Sequence, residues 1–253
     1  MLVAQAVATL TWILGMGSLV LFGTFLWTEH VDGIALHLNN RSLWLWDASL
    51  CLLFFLQHSI LIRRSVRAAL KKVIPEYCQG VAYTFTSAVV LFALILLWQH
   101  SATNLYALRG AGAWILRVAS LLVVIGFVWG TRSLERFDAF GIDQYLAHVQ
   151  RKQSPPARLT IQGPYGLVRH PFYALVIVAL WATPVLSLDR LLLNTLFTGW
   201  VVLGANLEER DLMAEFGKEY ASYRQTVPMF VPRVSTRPMK AGKAKAVSGD
   251  RAA

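Results

Sequence analysis

The chain of 253 residues is 56% hydrophobic and only 15% charged, whereas a soluble domain carries about a quarter charged residues. Its apolar residues occur in blocks close to the length that crosses a bilayer, which excludes a soluble enzyme and a disordered chain. The net charge of +10 does not indicate nucleic-acid binding, because 20 of the 24 basic residues lie in three patches beside apolar blocks. We therefore expect a multi-pass membrane protein without a nucleic-acid partner.

Four apolar blocks in the first half predict four transmembrane helices, at residues 2–27, 43–62, 79–98 and 113–131. The first block has no basic segment before it and no clean cleavage site, so we interpret it as a retained helix rather than a signal peptide. Under the positive-inside rule, the basic patches predict which helix ends lie in the cytoplasm. We expect both termini and the polar motifs described below on the cytoplasmic side of a bacterial inner membrane.

The second half predicts a helical hairpin that enters the membrane and returns. Two short apolar blocks, 172–186 and 191–207, are separated by Pro184 and Asp189, which a single long span would hold inside the membrane at considerable cost. In residues 208–223, apolar side chains recur at helical spacing between charges, which predicts an amphipathic helix at the cytoplasmic surface.

The predicted fold class is therefore an all-α integral membrane protein with about four full spans, a short hairpin and an amphipathic C-terminal helix. Cys51 and Cys78 lack metal-ligand spacing, so we predict neither a disulfide nor a metal site. The chain divides into N-terminal spans, a region that holds the polar motifs and a basic tail predicted to be disordered on anionic lipid: 1–131, 132–234 and 235–253.

The densest group of chemically active residues lies where the hairpin enters and leaves the cytoplasmic side. The entry carries GPYGLVRHPFY (163–173) and the exit carries EERD (208–211), so a cation, an imidazole, two tyrosines and two acids converge. Consecutive helical residues point about 100° apart, so Glu208 and Glu209 cannot face one ligand equally. One acid should point inward and the other toward Arg169 or solvent. A purely structural ion pair closing the hairpin is the alternative.

These two motifs resemble the Arg-His-Pro-x-Tyr and Glu-Glu signature of integral-membrane methyltransferases, the isoprenylcysteine carboxyl methyltransferase and phospholipid methyltransferase superfamily. The resemblance is strongest over residues 130–232, and Leu175 stands where the superfamily often has glycine. Five segments are similar to the NnrU-like branch, which includes the methanethiol S-methyltransferases: FLQHS (55–59), RFDAFG (136–141), WATP (181–184), EERDL (208–212) and VPM (227–229).

The resemblance implies a methyltransferase that binds S-adenosylmethionine on the cytoplasmic side, between the hairpin and the C-terminal helix. It further implies that Arg169 orients the acids or lies near the reacting centre. The favoured acceptor is a small thiol, methanethiol, which would become dimethyl sulfide. The residues implied to bind the cofactor come from both motifs: Gly163, Pro164, Tyr165, His170, Pro171, Tyr173, Glu208 and Glu209.

A thiol acceptor must lose its proton, since model thiols have a pKa of about 8.5. The candidate bases are His58, Glu208 and Glu209, although a nearby positive sulfonium can suffice without a base. His58 and Gln57, at the inner end of the second span, are expected either to line the acceptor pocket or to form interhelical hydrogen bonds.

Two other functions remain open at this point. One keeps the fold and the cofactor but takes a lipid or a prenylcysteine as acceptor. The other is a non-catalytic NnrU-like factor that assists maturation of a nitrogen-oxide reductase or handles haem.

Three further polar groups have weaker predictions. His30, within the acidic segment 29–32, is interpreted as a solvated side chain near the outer face. Asp47 is unusual inside a span and is expected to pair with Arg41 or Arg117. Residues 136–138 are predicted to begin a cytoplasmic cover over the site.

Overall fold

The computed structural model describes residues 1–28, 31, 33–134, 138–152 and 159–233. Within these ranges, five helices are long and apolar enough to cross a membrane. They are α1 (Leu2–Thr28), α2 (Asn40–Ile62), α4 (Glu76–Leu97), α5 (Gly110–Ser133) and α8 (Leu188–Phe216). The predicted all-α membrane architecture is confirmed.

In the part of the chain that the structure describes, four shorter α-helices, a 3₁₀ turn at Gly163–Gly166 and one small antiparallel strand pair complete the fold. The helices are α3 (Arg64–Leu70), α6 (Ile142–Val149), α7 (Pro171–Trp181) and α9 (Lys218–Thr226), and the strands are β1 (Asn104–Ala107) and β2 (Val185–Ser187). In the strand pair, Tyr106 lies opposite Leu186 and Ala107 opposite Val185. The pair joins the loop after α4 to the turn of the hairpin.

The five long helices leave many large apolar side chains on the outside of the protein. Helix α5 buries the smallest share of its residues among the five, and Trp114, Ile115 and Ile125 on it are largely exposed. Such exposure is expected where the surrounding medium is lipid, because burying these side chains against protein then brings no hydrophobic gain. The buried core lies between α1, α2, α4 and α8, around residues such as Phe25 and Leu193.

The hairpin is confirmed in its first arm and its turn, but its second arm is longer than predicted. Helix α7 has 11 residues and begins with Pro171, the position where a helix tolerates proline best. Helix α8 then runs unbroken for 29 residues, so the predicted short arm and separate amphipathic helix from 208 are wrong. No proline interrupts α8, and the break comes at Gly217, where φ is +51°. The amphipathic segment is therefore split between the end of α8 and α9.

Two glycines on α5 receive the side chains of α7. A Cβ atom at Gly130 would lie 2.4 Å from the Phe172 ring, and one at Gly126 would lie 2.7 Å from Leu175. Both helices therefore approach closely, as small residues allow in membranes. Leu175, where the superfamily often has glycine, occupies space that Gly126 leaves free.

The hairpin turn is fixed by a buried acid at the end of the helices opposite the two motifs. Asp189 is 1% exposed and accepts hydrogen bonds from the Trp98 indole, at 3.0 Å, and from the Ser101 amide, at 3.1 Å. Nearby, Asp47 accepts the backbone amide of Gln99 at 3.0 Å instead of making the predicted ion pair with an arginine.

Several predictions concern parts of the chain outside the described residues. These are His30 with its acidic neighbours, residues 136 and 137 of the predicted cover, and the basic tail 235–253. Asp138 is described: its carboxylate accepts the amides of Ile142, Asp143 and Gln144, and so caps the start of α6.

Candidate functional site

The motif 163–170 begins with a tight turn packed on the end of α5. Gly163 has φ +59°, and a Cβ there would lie 2.2 Å from the Ser133 hydroxyl, so both backbone conformation and space favour glycine. Pro164 is buried in the same turn. These two residues orient the turn, and neither is among the residues that line the cavity described below.

The end of the motif is hydrogen-bonded to residues 227–230, which we call the C-terminal strap. The amide of Arg169 donates to the carbonyl of Pro228 at 2.8 Å, and that of His170 donates to Met229 at 3.1 Å. The Tyr223 hydroxyl of α9 donates to the carbonyl of Tyr165 at 2.6 Å. The segment after α9 therefore folds back onto the start of α7.

A buried ion pair joins the motif to α8. Arg169 contacts Oε1 of Glu209 through Nη2 at 2.6 Å and through Nε at 2.7 Å, and the side chains are 9% and 6% exposed. Its Nη1 donates to the carbonyls of Arg224 and Val227, while Nε of Arg224 lies 3.3 Å from the other Glu209 oxygen. Arg169 thus connects α7, α8 and α9, and Glu209 is occupied by two guanidinium groups.

Glu208, the adjacent acid, faces a cavity of about 310 Å³ between α7, α8 and α9. Its side chain is 46% exposed, and it is the only carboxylate that lines this cavity among the described residues. The helical offset between consecutive residues thus separates the two acids, as predicted. The walls also include Arg169, His170 and Pro171, and six aromatic rings: Tyr165, Phe172, Tyr173, Phe216, Tyr220 and Tyr223. The volume lies at the lower end of the range for small-molecule sites.

His170 lies between the two acids. Its Nδ1 is 3.7 Å from Oε2 of Glu208, and its Nε2 is 3.4 Å from Oε1 of Glu209. Burial lowers the pKa of His170 below its ordinary value of 6.5, although both carboxylates act in the opposite direction. The imidazole is therefore neutral at neutral pH, and its ring stacks parallel to Tyr173 with centroids 5.4 Å apart.

The tyrosine hydroxyls of the cavity keep their protons. Burial raises the pKa of Tyr165 to about 12, and the charge of Glu208 adds to this effect. Burial likewise raises the pKa of Tyr220 to about 12, with Glu209 as the next contributor. Each hydroxyl can donate a hydrogen bond to a ligand at physiological pH.

His58, a predicted base, does not line this cavity. Its ring nitrogen Nδ1 lies 2.9 Å from the hydroxyl of Tyr83 on α4. Its neighbour Gln57 donates to Thr86 at 2.9 Å and to Ser87 at 3.2 Å, which is the interhelical hydrogen bonding given as the alternative. Tyr173 of α7 does line the cavity, as does Glu208.

The structure brings six of the predicted residues to the cavity: Tyr165, Arg169, His170, Pro171, Tyr173 and Glu208. Glu209 does not line the cavity and is instead bound by Arg169. Three further predicted residues do not line it either: Gly163, Pro164 and His58. The C-terminal helix was predicted to form one side of the cavity, but the residues with which α8 and α9 line it were not named as site residues: Leu212, Phe216, Tyr220 and Tyr223. The helical spacing of these apolar residues in the sequence did indicate one apolar face, which must pack against another surface.

The five spans and the polar cavity at one end of the hairpin define a multi-pass membrane protein with a site of small-molecule size. The family described as NnrU protein matches residues 48–235 of the sequence, so the chain belongs to the NnrU family. This match confirms the resemblance to the NnrU-like branch.

The chain is also similar to several proteins named methanethiol S-methyltransferase. The chain is 35% identical over 190 residues to the methanethiol S-methyltransferase of Pseudomonas sp. (strain GM41(2012)), covering 74% of this chain and 72% of that protein. It is 33% identical over 186 residues to methanethiol S-methyltransferase 2 of Bradyrhizobium diazoefficiens, covering 73% and 71%. Nurim of Rattus norvegicus is 28% identical over 179 residues, covering 66% and 67%. No solved structure matches the chain.

Proposed function

We propose that this protein is an integral-membrane methyltransferase that transfers a methyl group from S-adenosylmethionine to methanethiol and releases dimethyl sulfide. Relatives named methanethiol S-methyltransferase, similar over about three quarters of the chain, support this activity. The observation that carries the proposal is the cavity at the motif, where Glu208 faces a void lined by His170 and aromatic rings. The basic patches beside the helix ends support a position on the cytoplasmic face of a bacterial inner membrane.

The lining of the cavity fits a positively charged methyl donor. Aromatic faces and a carboxylate both attract cations, and the cavity offers six aromatic rings together with Glu208. Glu208 would accept hydrogen bonds from the amino or ribose groups of the donor, and the protonated hydroxyls of Tyr165 and Tyr173 would donate to its acceptor atoms. Neutral His170 adds no competing positive charge to the site.

When bound, S-adenosylmethionine would supply a methyl carbon on a positive sulfur, and the acceptor thiol would release its S–H proton to solvent as its sulfur takes the methyl group. The protein's part is to align the reactants and to exclude water, which together can lower such a barrier substantially. The aromatic walls shield the reacting atoms, and Glu208 balances the positive charge of the donor.

Arg169 is assigned a positioning role in this proposal. Its side chain contacts Glu209 and the carbonyls of Arg224 and Val227, so it holds α9 and the C-terminal strap against α7. The wall that carries Tyr220 and Tyr223 depends on this connection. Glu209 is bound by two arginines, which leaves Glu208 as the acid available to a ligand.

The proposal is tested with purified protein in detergent, methyl-labelled S-adenosylmethionine and methanethiol. We expect a labelled volatile thioether, and we expect Glu208→Gln to raise the KM for S-adenosylmethionine about 10- to 100-fold, since a hydrogen bond to a charged group contributes about 1.5–3 kcal/mol. Glu219→Gln is the matched control, because Glu219 is exposed on α9 and its loss should leave the rate unchanged.

Other products would contradict the proposal in distinct ways. A labelled product that extracts with lipid would indicate a lipid or prenylcysteine acceptor. Absence of both labelled product and donor binding by calorimetry would indicate a non-catalytic role.

A further inference from the structure

The hydroxyl of Tyr220 is a buried polar group that the protein itself leaves without a hydrogen bond. Tyr220, on α9, is 1% exposed, and its side chain lines the cavity. Its hydroxyl has no hydrogen-bond partner among the described residues. A buried hydroxyl without a partner costs free energy in the folded protein, so a protein that retains one usually uses it to bind water, an ion or a ligand.

The ring of Tyr220 is held in place by other apolar side chains. It packs edge-on against Tyr223 with centroids 5.8 Å apart, and Leu212 and Phe216 of α8 pack against the same cluster. The Tyr223 hydroxyl, by contrast, donates to the carbonyl of Tyr165 at 2.6 Å. Of these two neighbouring tyrosines, therefore, Tyr220 is the one whose hydroxyl can donate to a ligand.

The side of the cavity where Tyr220 lies carries a net positive charge. Nε of Arg224 lies 3.3 Å from Glu209, and Tyr220 is four residues before Arg224 on the same face of α9. Burial raises the pKa of the Tyr220 hydroxyl, and the charges of Glu209 and Arg169 are the next contributors, as expected if both lie beside it. Two guanidinium groups against one carboxylate leave a positive charge here. Arg169 is also the only lysine or arginine that lines the cavity among the described residues.

A negative charge lies on the other side of the His170 ring. Nδ1 of His170 is 3.7 Å from Glu208, and Nε2 is 3.4 Å from Glu209, the partner of Arg169. The cavity therefore has a negative wall at Glu208 and a positive wall at Arg169, separated by the width of the imidazole ring. An amino-acid group carries an ammonium and a carboxylate on one carbon atom, so its two charges match the two walls.

On the basis of the proposed function, we infer that the amino-acid part of S-adenosylmethionine binds across His170, with its carboxylate on Tyr220 and its ammonium on Glu208. The Tyr220 hydroxyl donates a hydrogen bond to the carboxylate, and the positive charge around Arg169 stabilises the same group. Glu208 accepts hydrogen bonds from the ammonium. Tyr220 is thus the residue that makes the site specific for a methyl donor that retains its carboxylate.

This arrangement also fixes the direction in which the donor lies. A reversed amino-acid group would place its carboxylate against Glu208 and its ammonium against Arg169, and both contacts would join like charges. The positive sulfur therefore always extends from the same end of the amino-acid part, as alignment with the acceptor requires.

The inference is tested by the binding of two methyl donors, S-adenosylmethionine and its decarboxylated form, measured by calorimetry with the purified full-length protein. Tyr220→Phe removes the hydroxyl and keeps the ring. We expect this variant to bind S-adenosylmethionine about 10- to 100-fold more weakly, the effect of one hydrogen bond to a charged group. The decarboxylated donor has no carboxylate for the hydroxyl to bind, so the variant and the unaltered protein should bind it equally.

Thermal unfolding of the ligand-free protein separates this role from a structural one. Because the hydroxyl has no partner among the described residues, Tyr220→Phe should leave the midpoint unchanged or raise it. A lower midpoint would show that the hydroxyl bonds within the protein and would overturn the inference. Tyr145→Phe is the matched control, because Tyr145 on α6 stacks on Tyr77 at 6.3 Å and does not line the cavity. It should leave the binding of both donors unchanged.

Two binding results would also contradict the assignment of Tyr220 to the carboxylate. One is an equal weakening of both donors by Tyr220→Phe, and the other is unchanged binding of S-adenosylmethionine. If the unaltered protein binds neither donor, the proposed function itself fails. That outcome is distinct from the other two, which both require a donor that binds.

Discussion

The two ends of the α7–α8 hairpin each bury an acid, but the two acids differ in what lies beside them. At the turn, Asp189 accepts hydrogen bonds from Trp98 and Ser101 within packed protein. At the opposite end, where the two motifs meet and which we call the mouth, Glu209 is bound by Arg169. The preceding residue, Glu208, faces a cavity. A buried acid bound by other protein groups therefore indicates a connection between helices. A ligand site also needs a polar group that faces open space, and Glu208, whose side chain is 46% exposed, faces the cavity.

The largest effect on stability is expected from breaking the ion pair between Arg169 and Glu209. Glu209→Gln removes the charge partner of buried Arg169, and such a loss typically costs about 3–5 kcal/mol. We expect the free energy of unfolding, measured by denaturant titration in detergent, to fall by this order and methyl transfer to fall with it.

The matched control for this prediction is Asp211→Asn. Its carboxylate lies 3.4 Å from Arg63 but is 44% exposed, and exposed pairs contribute only about 0–1 kcal/mol. If both substitutions destabilise the protein equally, the distinction between a buried ion pair and an exposed ion pair is wrong.

A smaller effect is expected from the acid at the turn. Trp98 and Ser101 bind different oxygens of Asp189, and Asp189→Asn keeps one oxygen as an acceptor, so one charge-assisted hydrogen bond of about 1.5–3 kcal/mol is lost. The protein should be less stable, whereas kcat and KM of the folded fraction should not change. A change in KM for the methyl donor would show that the two ends of the hairpin are coupled.

The smallest effect is a dependence of stability on pH that arises at the mouth. The pKa of His170 is lowered by burial from its ordinary value of 6.5, so below about pH 6.5 the unfolded chain binds a proton that the folded protein does not. The contribution of His170 is therefore complete above pH 6.5 and is lost as the pH falls toward the lowered pKa.

This dependence can be measured as the midpoint of thermal unfolding between pH 5 and 8. The midpoint should fall on acidification, and His170→Gln should flatten the curve in that window. His148→Gln serves as the control, since that ring stacks on Tyr77 away from the cavity. A steeper curve in His170→Gln would contradict the assigned direction.

Much of the architecture could be predicted because membrane spans depend on local composition. Block length identified α1, α2, α4 and α5, and Pro184 identified the turn of the hairpin. The length of α8 could not be predicted in this way, because its last two turns are charged and resemble a separate surface helix. Helix α8 runs through Gly199 and Gly204 and ends only at Gly217, where φ is positive, so the sequence alone does not indicate which glycine ends it.

The candidate site was predicted in part, for a similar reason. Helical geometry separates Glu208 from Glu209 without any knowledge of the fold. It cannot identify which of the two meets Arg169, because that depends on where α9 returns. Nor could the pairing of Tyr83 with His58 be predicted, since the two residues lie on different helices, α4 and α2, and are brought together only by helix packing.

The pairing of residues 169 and 170 with the C-terminal strap has a consequence for biosynthesis. All the described membrane helices precede residues 227–230 in the chain, so a chain that ends before them contains every span while one side of the cavity is missing. A chain terminated early at codon 226 would insert into the bilayer with all its described spans. It would lack the C-terminal strap, whose carbonyls bind the amides of Arg169 and His170. Cells would then carry inserted but inert copies, and immunoblots of membranes would overstate the amount of active protein.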